Sequence, residues 1–104
     1  MAFADNLRQL PSIAHLAALE LIDEGGEIVG RIPNQPGKTG SLTIYAALAA
    51  KHGRIDAKAA QEGLLLFAEH TEDARQHPGS HPKIDRLLEV IASGKSYAAK
   101  VIAA

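Results

Sequence analysis

The sequence predicts an α+β fold, in which a small antiparallel β-hairpin or three-stranded sheet has about four helices packed against it. Three observations lead there. Two aliphatic runs flank Asp23-Glu24-Gly25-Gly26, a turn signal, and several later segments repeat apolar residues at helical spacing. The chain has 104 residues, 46% of them apolar and 22% charged, the balance of a sequence that folds around a core. A chain of this length buries roughly two-thirds of the surface its unfolded form exposes, so a single domain over residues 1–104 needs no disulfide or structural metal.

Phe3, Leu7 and Leu10 share one side of a short N-terminal helix, which Pro11-Ser12 ends because proline lacks an amide donor and disfavours helix in the residue before it. Leu16 to Ile22 and Glu27 to Ile32 are the strands of the hairpin, with Gly25-Gly26 supplying the positive φ of a tight turn and Ile28 and Ile32 covering the helices. Pro33-Asn34-Gln35-Pro36-Gly37-Lys38-Thr39-Gly40 is a loop, since prolines and glycines at this density break both helix and ladder. Ser41 is placed to cap a helix from Leu42 to about His52, buried through Leu42, Tyr45, Leu48 and Ala49 and closed by Gly53.

Asp56 is the next N-cap, its carboxylate suited both to the free amides of the first turn and to the helix dipole. The helix it starts is expected to run from Ala57 to about Gln76, with Ala60, Leu64, Phe67, Ala68, Thr71 and Ala74 inward, until Pro78-Gly79 stops it. A last helix begins near Pro82, presents Ile84, Leu87, Leu88 and Ile91, and ends at Ser93-Gly94. The tail from Lys95 to Ala104 fits strand and helix equally well.

Composition removes whole classes of function. With no cysteine there are no thiolate metal sites, disulfides or cysteine nucleophiles. The net charge of −1, two Tyr, two Phe and no Trp leave neither the basic footprint nor the stacking platform of a nucleic-acid binder. No apolar run approaches the ~20 residues of a membrane span, and the N-terminus lacks the basic-then-apolar pattern of a signal peptide. A soluble, cytoplasmic protein without nucleic-acid or membrane partners is expected.

Chemistry is concentrated between Leu64 and His81. Glu69, His70, Asp73 and His77 share that stretch, with His81 just beyond the Pro78-Gly79 turn. At ~100° per residue His70, Asp73 and His77 fall within a ~60° sector of a helix, a pattern that can seed a divalent-metal site with His81 as a further ligand. His70 and His77 lie about two turns, or ~10 Å, apart, so Asp73 with His77 is the more feasible pair. The same residues pair carboxylates with proton carriers, as acid–base catalysis requires, but no nucleophile stands beside them. A solvated polar face is the plain alternative.

Gly37-Lys38-Thr39 suggests a phosphate loop, yet the earlier glycine that motif needs would fall at Ile32, and Gly30 is out of register. What survives is a weaker anion site, in which Lys38 and the amides near Gly40 and Ser41 hold a small anion at a helix start.

Taken in order, Pro11-Ser12-Ile13, Gly37-Lys38-Thr39-Gly40-Ser41, Tyr45-Ala46-Ala47-Leu48, Ala59-Ala60-Gln61-Glu62-Gly63-Leu64, Ala68-Glu69-His70-Thr71 and His81-Pro82-Lys83-Ile84-Asp85-Arg86-Leu87 resemble a family of small bacterial domains of unknown function, of the kind structural genomics describes as hypothetical proteins. The resemblance spans nearly the whole chain. It implies a bacterial, cytoplasmic, single-domain protein without an assigned activity, and it carries over no catalytic residue.

The leading expectation is a non-enzymatic module that binds a protein or small-molecule partner and needs no cofactor. The alternative is a small metal-dependent or acid–base enzyme centred on Glu69 to His81. An exposed apolar surface near Leu65 and Leu66 favours the first, and a concave pocket joining the Lys38 loop to the histidine face favours the second.

Overall fold

The computed structural model describes residues 2–104. Its elements are α1 (Phe3–Arg8), β1 (Leu16–Ile22), β2 (Ile28–Pro33), α2 (Thr39–His52), α3 (Ala57–Phe67), α4 (Glu69–Gln76), α5 (Pro82–Ser93) and β3 (Ala98–Ala103). The three strands form one antiparallel sheet in the order β2-β1-β3. This is the expected α+β architecture, with five helices where about four were expected.

The extra helix arises because the predicted span from Ala57 to Gln76 breaks at Ala68, whose φ of 53° and ψ of −118° lie outside the helical region. Polar groups stabilise the break. Thr71 Oγ1 donates to the carbonyl of Leu64 at 2.6 Å, and Asn6 Nδ2 donates to that of Leu66 at 3.0 Å, so carbonyls left open where α3 stops still have donors. Asp56 caps α3 as expected, accepting the Ala59 amide at 2.9 Å.

The hairpin forms where the glycines predict it, but only Gly26 carries a positive φ, of 85°. The Gly26 amide bonds back to the Asp23 carbonyl at 3.0 Å and the Asp23 amide to that of Glu27 at 2.9 Å, which makes a three-residue loop with its left-handed residue last. Asp23 Oδ1 also accepts the Gly25 and Glu27 amides at 2.9 Å each. Ile32 is fully buried, whereas Ile28, expected to cover the helices, is 59% exposed because it sits on an edge strand beside the turn.

The ambiguous tail is strand. Its residues pair with β1, Lys100 opposite Glu20, and the Ile55–Tyr97 bridge anchors its start through bonds of 2.9 and 3.0 Å. β1 is thereby enclosed on both edges. Its inward Leu19 and Leu21 meet Ile32 and the helical residues Leu42, Ile44, Tyr45, Leu48, Phe67, Ile84, Leu87 and Val90 in one core. Val90 takes the place expected for Ile91, which is turned outward, since positions 84, 87 and 90 follow one another along a single helical stripe. Buried Tyr45 donates its hydroxyl to the Lys83 carbonyl, and burial pushes its pKa up.

Candidate functional site

The loop before α2 arrives at the site already curling. Lys38 bonds back to the Gln35 carbonyl at 2.9 Å, and Leu42 bonds to the Lys38 carbonyl at 3.1 Å, so the helix begins at Thr39 and not at Leu42. Ser41 is therefore not the cap; it lies within the first turn, and no side chain caps this end. The amides of Thr39, Gly40 and Ser41 have no acceptor among the described residues, as the first turn of an uncapped helix requires.

Opposite this turn stands the histidine segment. Asp73 bonds two histidines at once: Oδ2 to His81 Nε2 at 2.7 Å, and Oδ1 to His77 Nδ1 at 3.2 Å. These contacts, that of His81 first, hold the Asp73 carboxyl below the usual aspartate range. The expected pairing of Asp73 with His77 is thus present, but the shorter bond goes to His81, which the Pro78-Gly79 turn folds back over the helix end. Ser80 Oγ donates to the His77 carbonyl at 2.7 Å and the Gly79 amide donates to Asp85 Oδ2 at 2.9 Å, bonds that fix this turn. His70 makes no hydrogen bond or ion pair with a carboxylate among the described residues; its ring lies 5.3 Å from that of His81 and packs edge-on to Phe3 at 4.6 Å. Among the described residues no group of three or more His, Asp or Glu is arranged to hold a metal ion.

Between loop and histidines lies a cleft with two lobes. One, of about 360 Å³, has Arg31, Lys38, Ser41, His81 and Lys83 in its walls. The other, of about 390 Å³, has Phe3, Leu7, Thr39, Gly40 and His70, and the two share Gly37, Ser41, Phe67 and His81. Gly40 is needed for this shape: a Cβ there would come within 2.7 Å of Phe3 Cζ. The predicted residues Lys38, Gly40, Ser41, His70 and His81 all line the cleft, while Asp73 supports His81 from behind. His77 lines neither lobe.

Sequence reasoning missed Arg31, Lys83 and Phe3. Lone basic residues in a strand and at a helix start carry no signature, although His81-Pro82-Lys83 as a helix opening does place Lys83 beside His81. Arg31 is paired with Glu20 at 3.0 Å. Lys38 and Lys83 have no carboxylate partner among the described residues. Burial, and then the charges of Arg86 and Lys38, hold the Lys83 ammonium below the usual lysine range.

The family comparison adds identity without chemistry. A family model described as an uncharacterized protein conserved in bacteria, DUF2322, matches residues 3–101. The chain belongs to this bacterial family. The match runs from the start of α1 into β3 and so covers both walls of the cleft. Neither a curated protein nor a solved structure matches the sequence.

A second surface differs in character. A depression of about 520 Å³ between α3, α4 and α5 is walled mainly by Leu64, Leu65, Ala68 and Ile91, with Leu65 77% exposed. Leu66, by contrast, packs against the core. No helix is long and apolar enough to cross a membrane among the described residues.

Proposed function

We propose that this chain is a binding module for a small anionic ligand, held in the cleft between the residue 34–41 loop and His81-Pro82-Lys83. One observation carries the reading: Lys38 and Lys83, from different elements, line the same lobe of the cleft, and neither is paired with a carboxylate among the described residues. A folded chain gains nothing from crowding cations, so their convergence fits a site completed by a ligand's negative charge. The open amides at the start of α2 add a favourable field along the same wall. A cytoplasmic setting belongs to this proposal.

Calorimetric titration with inorganic phosphate tests it. Lys38→Ala and Lys83→Ala should each weaken phosphate binding by about tenfold, roughly the 1.4 kcal/mol expected of one charge-assisted contact. Lys58→Ala, outside the cleft, should leave it unchanged. Binding that responds equally to all three variants would overturn the reading.

The 2.7 Å bond between Asp73 and His81 favours a second reading, a small acid–base or metal-dependent enzyme. A carboxylate that holds one ring nitrogen orients the imidazole and leaves the other for proton transfer or a metal. Asp73, His77, His81 and His70 are the residues it would use. Micromolar zinc binding lost in His81→Ala and kept in His52→Ala would support it. Weak binding lowered equally by any histidine replacement would sink it.

A further inference from the structure

We propose that the ligand of this cleft is a phosphate monoester whose alcohol part is a flat ring, with the phosphate between Lys38 and Lys83 and the ring against His81, His70 and Phe3. The inference rests on the anion-binding reading above and adds the ligand's charge and shape.

Charge selects the head group. Arg31 is paired with Glu20, so among the described residues two cations remain in the cleft without a carboxylate partner, Lys38 and Lys83. A phosphate monoester carries about −1.5 to −2 near neutral pH and offers three acceptor oxygens, whereas a carboxylate supplies one charge and two oxygens. Two ammonium groups and the open amides of the α2 start are a better match to the phosphate.

Shape selects the body. The second lobe is lined by a row of rings: Phe67 stacks on Phe3 at 5.9 Å, Phe3 meets His70 at 4.6 Å, and His70 meets His81 at 5.3 Å. His81 belongs to both lobes, so the row runs directly into the cationic part of the cleft. Phe67 is already buried, but an inorganic anion would leave the half-exposed rings of Phe3, His70 and His81 wetted, while a planar ring joined to the phosphate would cover them and gain aromatic contact. Gly40, by admitting Phe3 against the first turn of α2, brings that ring within the same wall as the open amides.

The probes are phenyl phosphate and inorganic phosphate, each titrated into the full chain and followed by calorimetry and by amide resonances. Phenyl phosphate should bind about tenfold or more tightly than inorganic phosphate, the scale of one aromatic contact with its buried area. In His70→Ala and Phe3→Leu that preference should fall towards unity while inorganic phosphate affinity stays within about twofold of wild type. His70 is half-exposed, so its variant keeps the test decisive should Phe3→Leu loosen α1. Equal affinity for the two probes, with phosphate binding still dependent on Lys38 and Lys83, would overturn the ring assignment and leave the anion site standing. A preference for phenyl phosphate that survives both ring variants would also overturn it. Phosphate binding indifferent to Lys38 and Lys83 would instead remove the reading beneath it.

Discussion

Ala68 bears a backbone conformation that an L side chain adopts at a cost of about 1–3 kcal/mol, with φ at 53° and ψ at −118°. Its neighbours compensate: the Thr71 hydroxyl and the Asn6 amide take up carbonyls at the end of α3, and Phe67 and Thr71 are buried on either side. Ala68→Gly removes the steric conflict and should stabilise the protein by about 1 kcal/mol, read from urea unfolding. A loss of stability would mean that packing of the Ala68 methyl outweighs the strain. Nothing in the sequence marks this break, because positions 60, 64, 67, 71 and 74 continue one helical stripe through it, no proline interrupts them, and Gly63 lies within α3, before the break. The hairpin was legible for the opposite reason. Gly26 occupies a left-handed position that β-branched residues resist, so Gly26→Val should cost about 2 kcal/mol by the same measurement.

At the scale of elements, α1 is a six-residue helix with no fully buried residue, too short to persist by itself. Tertiary ties hold it. Glu69 accepts the Phe3 amide at 2.8 Å, Asn6 reaches the Leu66 carbonyl, and the Phe3 ring stacks on Phe67. The Phe3 amide, followed by Glu69's own amide, lowers the Glu69 pKa from its ordinary value. A carboxylate with a depressed folded pKa contributes fully above its unfolded value, about 4.3, and loses that contribution as pH falls through the folded one. The protection of the Phe3 amide, its exchange rate taken relative to the intrinsic rate at each pH, should therefore fall on acidification through the region below the ordinary glutamate range, and Glu69→Gln should flatten that response. An unchanged profile in Glu69→Gln would show that other contacts hold α1. The sequence shows α1 through its apolar spacing, but its docking onto the α3–α4 break was illegible because the break itself was.

Across the whole molecule the cleft is assembled from stretches far apart in the chain: α1, the end of β2, the 34–41 loop, the α3–α4 break and the start of α5. Each chemical part was visible separately as the Lys38 loop and the histidine segment. Their meeting depends on the sheet and on the helix break, and the contribution of Arg31 and Lys83 on tertiary placement alone. Such a site should be maintained against the interest of the fold, and Lys83 tests that directly. Burial and the charges of Arg86 and Lys38 disfavour its ammonium, while its side chain is half-buried. Lys83→Met keeps the stem and removes the charge, so thermal stability should hold or rise as phosphate affinity falls by about tenfold. The expected sign follows from relieving desolvation and repulsion with no carboxylate partner left behind. If Lys83→Met instead lowered the melting temperature and left phosphate affinity intact, Lys83 would be a structural residue and the cleft's positive charge a by-product of packing.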